Sequence, residues 1–154
     1  MSVSERIEDF LSRRRLAMVG VSRNKRDFSR ALFREFLRRG YDMVPVHPSA
    51  AEIEGRPCAR CLRKITPPVD GVLLMTPARL TYSLVEECAA AGIPRVWMYR
   101  AVGRGAVDER AVALCEEKGI AVVPGYCPWM FFDGASLLHR VHASLLKLTG
   151  AYPR

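Results

Sequence analysis

Four cationic side chains crowd the stretch 20–30, with one acidic residue among them: Arg23, Lys25, Arg26 and Arg30, against Asp27. The apolar run before them predicts a strand, and an amphipathic pattern from Ser29 predicts a helix. A strand-to-helix turn points backbone N–H groups outward at the positive end of the helix dipole, which suits a phosphate. Cations at a helix start otherwise oppose the dipole by roughly a few tenths of a kcal/mol each. An anionic ligand would remove that conflict, so we interpret 20–30 as a phosphate-holding loop for a nucleotide-type ligand.

This loop matches neither of the common phosphate-binding motifs. It holds one glycine, Gly20, so it is not G-x-G-x-x-G, and it lacks the Gly-Lys-Ser/Thr ending of a Walker A loop. The alternative interpretation is an ordinary turn between a strand and a helix, with a solvated basic helix start.

Thiols offer a second chemistry. The five cysteines are an odd set without a small secreted scaffold around them, so reduced thiols are expected: Cys58, Cys61, Cys88, Cys115 and Cys127. Cys58 and Cys61 have C-x-x-C spacing, but one pair lacks the two further ligands of a zinc site and lies in a loop region. Cys127 follows the last strand, where either a reactive thiol or a partly buried cysteine fits.

The histidines and carboxylates do not form a recognisable catalytic set. His139 and His142 lie one helical turn apart with no carboxylate to complete a metal set, and we interpret them as surface residues. His47 ends the second predicted strand, where it could hydrogen-bond a ligand or cap the turn. We find no Ser-His-Asp arrangement and no paired carboxylates in the predicted site, so no catalytic or metal-binding residue is assigned.

Alternating strands and helices position these residues. Apolar runs predict strands at 16–21, 43–46, 69–75, 95–99 and 120–123, with a short additional strand near 56–59. Amphipathic patterns predict helices near 2–11, 29–39, 76–91, 108–118 and 134–148. This alternation favours an α/β fold: one doubly wound, mainly parallel sheet with helices on both faces, in a single domain spanning 1–154. If the short strand joins the sheet, the strand order is 3-2-1-4-5-6.

That strand order predicts where three separated loops meet. Parallel strands end at one edge of the sheet, and a ligand crevice opens where the winding reverses. The turn 20–22 should then lie beside Thr76 and Pro77, with His47 and Pro48 on its other side. Thr76 is expected to cap the third long helix and Pro77 to be its first residue.

Composition limits the partners. The chain has 154 residues and a formal net charge of +8, which fits an anionic partner. The basic residues are scattered rather than gathered on one face, so a small phosphorylated nucleotide ligand is favoured over nucleic acid. No apolar run approaches the roughly 20 residues that span a bilayer, and no signal-peptide pattern opens the chain, so a cytoplasmic location is expected. A homodimer or a protein partner is compatible with the sequence.

Several pieces, taken in order, resemble the stand-alone CoA-binding protein family. These are small Rossmann-like domains similar to the CoA-binding domain of the succinyl-CoA synthetase alpha subunit. The matching pieces are 19–22, 40–48, 52–58, 68–72, 96–97 and 121–124 followed by Cys127. Together they span roughly residues 7–127, and their order and spacing are more specific than any one piece.

The resemblance implies a ligand, CoA or an acyl-CoA, and a set of contacts. It places Gly20, Val21, Ser22 and the basic residues after them on the CoA phosphates. It places Val46, His47 and Pro48 on the adenine side, and Thr76 and Pro77 on the opposite wall. The expected binding residues are therefore Gly20, Val21, Ser22, Arg23, Lys25, Arg26, Ser29, Val46, His47, Pro48, Thr76 and Pro77. We expect a ligand-binding domain rather than a self-sufficient enzyme.

The chain departs from the family pattern at three places. His47 stands where the family usually has asparagine, and Tyr99-Arg100-Ala101 stands where it usually has a glutamine with a glycine nearby. Cys127 is followed by the bulkier run 128–131. We therefore expect the pantetheine end of the pocket to be altered or closed.

Two other function classes compete with CoA binding. An NAD(P)-dependent oxidoreductase lacks support because the fingerprint glycines are missing and His47, not an acidic residue, ends strand two. A thiol-based redox or metal protein would use Cys58, Cys61 or Cys127.

Overall fold

The computed structural model describes residues 1–132, and the predicted helix at 134–148, with His139 and His142, lies outside them. The helices are α1 (Val3–Leu11), α2 (Phe28–Arg38), α3 (Ala78–Ala90) and α4 (Glu109–Glu117). The strands are β1 (Arg15–Val19), β2 (Asp42–Val46), β3 (Glu52–Ile53), β4 (Arg56–Pro57), β5 (Gly71–Leu74), β6 (Arg95–Met98) and β7 (Ala121–Pro124). Single 3₁₀ turns cover Leu62–Lys64 and Pro128–Phe131. No helix within residues 1–132 is long and apolar enough to cross a membrane.

The predicted fold class is confirmed. Five parallel strands form one sheet in the order β2-β1-β5-β6-β7. Val19 at the end of β1 lies opposite Val46 of β2 on one side and Leu74 of β5 on the other. The ends of these three strands therefore share one edge, where the winding of the chain reverses.

The short strand predicted near 56–59 does not join this sheet at the edge beside β2. β4 pairs instead with β3 in a two-stranded antiparallel hairpin. Ala59 alone reaches the sheet: its N–H donates to the Pro45 oxygen (2.9 Å) and its oxygen accepts from the His47 N–H (3.0 Å). Pro57 has no N–H to extend that pairing, and β2 remains the outermost complete strand, a position that tolerates Pro45.

The sheet is buried on both faces, which explains its continuous apolar strands. Alternate residues point to opposite sides. One layer of side chains packs with Val85 of α3 and Cys115 of α4, and the other packs with Phe10 of α1 and Phe33 of α2. The strands are thereby fixed in register, and the loops that follow them are held at the carboxyl edge.

Helix starts follow local capping chemistry. The predicted capping box of α1 is present: Ser2 Oγ accepts from the Glu5 N–H (3.1 Å), and Glu5 Oε2 accepts from the Ser2 N–H (2.6 Å). α2 begins at Phe28, one residue before the prediction, because Asp27 caps it. The prediction that Thr76 caps α3 is wrong. Pro77 occupies the cap position with extended backbone (ψ 147°), so the helix begins at Ala78.

Candidate functional site

The loop after β1 lies directly against the loop after β5. Gly20 has φ +94°, and a Cβ at this position would lie 2.8 Å from the carbonyl carbon of Met75. The Met75 N–H donates to the Val19 oxygen (2.8 Å), which fixes the two strand ends together. Thr76 is the next residue, so the structure brings the turn 20–22 beside Thr76 and Pro77. With His47 and Pro48 at the end of β2, the three loops meet at one edge as the sequence predicts.

The loop after β1 is held by its own side chains. Ser29 Oγ accepts from the Ser22 N–H (2.9 Å), Ser22 Oγ from the Asn24 N–H (3.0 Å), and Asn24 Oδ1 from the Arg26 N–H (3.0 Å). Asp27 Oδ1 accepts from the Ser29 N–H (3.2 Å). The expectation of an open helix N-terminus is therefore corrected: Asp27 already caps α2. An anion at this loop would therefore be attracted by the cationic side chains more than by the helix dipole.

Three cations of this loop point to solvent. Arg23, Lys25 and Arg26 are all exposed. Arg23 Nη2 donates to Ser49 Oγ (2.9 Å), which bridges the loop after β1 to the segment after β2. Within residues 1–132, the side chains of Lys25 and Arg26 form no hydrogen bond or ion pair. Their charges are free to meet a ligand.

Arg30, the fourth cation of the cluster, has a structural role instead. It is 6% exposed, and Nη1 donates to the oxygens of Ser22 (3.2 Å) and Arg23 (3.3 Å). Nη2 donates to Glu54 Oε1 (2.9 Å), which also accepts from Arg34 (2.8 Å). Hydrogen bonds from Arg34 and then Arg30 hold the pKa of the Glu54 carboxyl below its usual value, against the opposing effect of burial. Arg30 therefore ties the loop after β1 to the turn of the β3–β4 hairpin.

Sequence reasoning missed Glu54 and Ser49. Glu54 lies 24 residues beyond Arg30 and adopts a left-handed backbone (φ 51°) just before Gly55. The signals that could have found it are the Glu54-Gly55 turn and the one-turn spacing of Arg30 and Arg34 on a helix face.

A cleft of about 600 Å³ opens between the loop after β1 and the hairpin segment. Arg23, Lys25 and Arg30 lie on one side of it, and residues 50–55 form the other. Arg23, which lines the cleft, also donates to Ser49 in the segment after β2.

His47 caps the turn after β2. Its Nδ1 accepts from the backbone N–H groups of Ser49 (3.1 Å) and Ala50 (2.8 Å). An acceptor nitrogen carries no proton, so the neutral ring has its proton on Nε2. Burial lowers the pKa of His47, and the positive charges of Arg23 and Arg60 lower it further. Of the two roles left open by the sequence, the capping role is observed, and the Nε2 proton remains for a ligand.

Thr76 contributes a polar atom without a partner. Its Oγ1 is buried and has no hydrogen-bond partner within residues 1–132. α3, which follows it, has no side-chain cap and no acidic residue in its first turn. Buried hydroxyls are normally hydrogen-bonded, so Thr76 Oγ1 is an unsatisfied polar group at this edge of the sheet.

Aromatic rings line the other end of the edge, after β6 and β7. Phe28, 40% exposed, lies 5.9 Å from the Tyr99 ring and 6.0 Å from the Trp129 ring, measured between centroids. A hydrogen bond joins the side chains of Tyr99 and Cys127, and burial raises the pKa of both. The bulky residues after Cys127 thus pack beside the edge, at the end where the pantetheine arm was expected.

Four of the five thiols have a pKa that burial raises, including that of Cys127. Burial raises the pKa of Cys88 and of Cys115 to about 12, and it raises the pKa of Cys58 as well. No group of three or more metal-binding side chains occurs in the described part of the chain.

Comparison with known proteins adds a decisive observation. The family model for the CoA binding domain matches residues 14–133, a span that includes all three loops of the edge. The chain belongs to the CoA-binding domain family. The family resemblance seen in the sequence is thereby confirmed.

Relatives of this CoA-binding domain have been described and solved. It is 28% identical over 122 residues to the uncharacterized protein YneT of Bacillus subtilis, covering 79% of this chain and 87% of that protein. A conserved hypothetical protein from Pyrococcus furiosus is 26% identical (TM-score 0.65; 74% of this chain, 95% of the other). A hypothetical protein from Pyrococcus horikoshii shares the fold at 24% identity (TM-score 0.75; 95% and 93%).

The fold also occurs inside a larger enzyme. An acetyl-coenzyme A synthetase of Ca. Korarchaeum cryptofilum, solved with phosphate and ADP, matches 70% of this chain (TM-score 0.62, 21% identity). The match covers 25% of the synthetase chain. This likeness concerns the fold of one part of that enzyme.

Proposed function

We propose that this CoA-binding domain binds CoA or an acyl-CoA across the carboxyl edge of its sheet, with the phosphates at the loop after β1. The observation that carries the proposal is the convergence of three loops within the family-matched span 14–133. Gly20 meets Met75 at van der Waals limits, so the loops after β1 and β5 form one continuous surface. Exposed cations lie on the loop after β1, and Thr76, whose buried Oγ1 has no hydrogen-bond partner within residues 1–132, lies on the loop after β5.

Each loop has a distinct role in the proposal. Arg23, Lys25 and Arg26 meet the phosphates, since cation-to-phosphate hydrogen bonds are among the strongest in proteins. Gly20, Val21 and Ser22 form the floor beneath them, and Ser29 holds that floor through its bond to the Ser22 N–H.

The remaining residues form the two sides of the proposed site. Val46, His47 and Pro48 line the adenine side, where the His47 Nε2 proton is available as a donor. Thr76 and Pro77 form the opposite wall. No reaction is assigned to this arrangement.

The NAD(P) alternative is less well supported by the same edge. A dinucleotide-binding domain places a carboxylate at the end of its second strand to hold the ribose hydroxyls. Here His47 occupies that end, with Nδ1 committed to the turn. The cationic loop favours a ligand with three phosphate groups, as in CoA and NADP, over NAD, which has two.

Ligand-dependent thermal stability tests the proposal. At a CoA concentration about 100-fold above Kd, binding stabilises the folded state by about 2.7 kcal/mol. For a chain of this size, the melting temperature should rise by about 5–10 °C. NAD and NADP should produce no comparable rise. A rise with NAD or NADP and none with CoA would overturn the proposal.

A matched pair of double variants locates the site. Lys25→Ala/Arg26→Ala should reduce the CoA-dependent rise, because it removes the two free loop cations. Arg63→Ala/Lys64→Ala removes an adjacent pair of the same charge in the 3₁₀ turn Leu62–Lys64, outside the proposed site. This control should preserve the rise; an equal reduction in both would show a non-specific charge effect. Native mass spectrometry of the purified protein should identify CoA or an acyl-CoA as the co-purifying ligand.

A further inference from the structure

Arg100 is an exposed cation in the loop that follows β6, at the carboxyl edge of the sheet. Its backbone N–H donates to the Tyr126 oxygen (3.2 Å), which joins this loop to the segment after β7. Its side chain forms no hydrogen bond or ion pair with any residue in 1–132. Arg100 therefore presents a positive charge that the described part of the chain does not compensate.

Two glycines restrict the position of Arg100. A Cβ on Gly125 would lie 3.1 Å from Nη2, 3.3 Å from Nε and 3.4 Å from Cζ of Arg100, so the guanidinium group packs against the main chain just after β7. A Cβ on Gly105 would lie 2.9 Å from the Cα of Arg100 and 3.1 Å from its Cβ, so a second segment packs against the base of the same residue. Restricting an exposed arginine in this way lowers the conformational entropy that ligand binding would cost.

The segment that supports the guanidinium group is itself fixed to the sheet. Trp97 is fully buried, and its Nε1 donates to the oxygens of Gly125 (2.8 Å) and Tyr126 (3.2 Å). The Gly125 N–H donates to the Met98 oxygen (2.9 Å). Trp97 and Met98 belong to β6, so the support for the guanidinium group rests on a strand of the central sheet. Groups held by such elements are positioned more precisely than groups on loops.

Arg100 lies along the same edge as the proposed CoA site. The Tyr99 N–H donates to the Leu74 oxygen (3.0 Å), which places the start of the loop after β6 beside the end of β5. The Tyr99 ring also lies 5.9 Å from the ring of Phe28, the first residue of α2. Neighbouring strands lie about 4.8 Å apart, so about 10 Å separates the ends of β1 and β6. A ligand with its phosphates at the loop after β1 can span that distance.

The proposed binding mode directs the acyl end of the ligand toward Arg100. In doubly wound sheets, a nucleotide ligand crosses the point where the winding reverses, with its adenosine part beside the second strand. The arm that carries the thiol of CoA would then extend over β5 and β6. A guanidinium group binds a carboxylate through two parallel hydrogen bonds, and a fixed, planar group favours that geometry. Resting on the proposed function, we infer that Arg100 binds a carboxylate at the end of the acyl chain, so that the domain prefers acyl-CoA ligands with an acidic acyl group.

Matched pairs of acyl-CoA ligands test this inference by isothermal titration calorimetry. Malonyl-CoA and propionyl-CoA, succinyl-CoA and butyryl-CoA, and glutaryl-CoA and pentanoyl-CoA are pairs of equal chain length in which a carboxylate replaces a methyl group. In at least one pair, the wild-type protein should bind the carboxylated ligand about 5- to 20-fold more tightly, as expected for charge-assisted contacts to one carboxylate. Equal affinities within every pair, or binding of free CoA alone, would overturn the inference and leave the proposed function standing. Failure to bind CoA or any acyl-CoA would overturn both.

Variants of two arginines in the same loop locate the contact. Arg100→Gln should abolish the preference, because it removes the positive charge, and should leave the affinity for free CoA nearly unchanged. Arg100→Lys keeps the charge without the planar pair of donors and should retain part of the preference. Arg104→Gln is the matched control, since Arg104 is exposed and its Nε donates to the Val107 oxygen (3.3 Å). It lowers the net charge equally and should leave the preference unchanged. A preference that persists in Arg100→Gln, or that falls equally in Arg104→Gln, would overturn the assignment to Arg100.

Discussion

Gly20 lies in direct contact with the main chain of Met75: a Cβ on Gly20 would come 2.8 Å from both the carbonyl carbon and the carbonyl oxygen of Met75. The contact joins the loop after β1 to the loop after β5. Gly20 also has φ +94°, a conformation that side chains other than glycine rarely adopt. Two independent constraints therefore require glycine at the centre of the proposed CoA site.

Gly20→Ala should destabilise the fold strongly. The left-handed backbone costs about 1–2 kcal/mol for a non-glycine residue, and forcing an atom into a packed contact adds about 1–3 kcal/mol. Urea unfolding should therefore show a loss of about 2–5 kcal/mol. Gly40→Ala is the control, since Gly40 has φ +88° but no atom lies within 4 Å of the place that a Cβ would occupy. It should lose only the backbone cost; equal losses in the two variants would contradict the close contact.

Glu54→Gln should weaken the link between the loop after β1 and the hairpin. The variant keeps the side-chain shape but removes the charge that compensates buried Arg30. Loss of a partner costs about 3–5 kcal/mol in a fully buried pair, and partial exposure of Glu54 lowers our expectation to about 1–3 kcal/mol. Chemical denaturation at pH 7 measures the change.

Arg34→Ala is the control for Glu54→Gln. Arg34 is 44% exposed and makes the other ion pair to Glu54. Its removal should cost less than about 1 kcal/mol, because exposed ion pairs contribute little. A loss in Arg34→Ala as large as that in Glu54→Gln would show that the buried Arg30 charge does not depend on Glu54.

His47 should make stability depend on pH in the mildly acidic range. Its Nδ1 accepts two backbone hydrogen bonds, and the pKa of the ring is lowered in the folded state. The unfolded chain therefore takes up the proton first as pH falls below about 6.5. Stability should decrease from about pH 6.5 down to the folded-state pKa and then level off. An NMR titration of the ring gives that pKa directly.

His47→Asn separates the cap from the titration. The asparagine side-chain oxygen can accept the same turn N–H groups but does not titrate, so stability should lose its dependence on pH near about 6. His47→Ala should lose the cap at every pH, at about 1 kcal/mol. A ring pKa above about 6.5, or an unchanged pH profile in His47→Asn, would contradict this role.

Thiol accessibility should divide the cysteines into two groups. Cys88, Cys115 and Cys127 are at most 5% exposed, and burial raises the pKa of each, so the folded protein should protect them from iodoacetamide. Cys58 and Cys61 are partly exposed and should react first. Peptide mapping by mass spectrometry after brief native labelling measures this, with the denatured protein as the fully labelled control. Rapid labelling of Cys127 in the folded protein would contradict this prediction and would support the alternative of a thiol-based function.

Much of the site geometry follows from periodicity. Continuous apolar runs identified the five strands of the main sheet, and parallel strands place their following loops at a common edge. The meeting of Gly20, His47 and Thr76 could therefore be predicted. The position of the short segment 56–59 could not be predicted, because it depends on which strand the segment pairs with. In the structure, β4 pairs with β3 and not with β2. Thr76 was misplaced as a cap because the backbone of Pro77 decided where α3 begins.

The amino-acid sequence by itself determined the fold class, the family and the cationic character of the loop after β1, because apolar periodicity and charge are local properties of the chain. The tertiary structure decided which of those cations face a ligand. Arg30 and Lys25 are both basic residues of the same short stretch of sequence. In the structure Arg30 is buried and pairs with Glu54, whereas Lys25 is exposed. Burial and pairing depend on residues that are distant along the chain, so only the folded arrangement separates a structural charge from one available for binding.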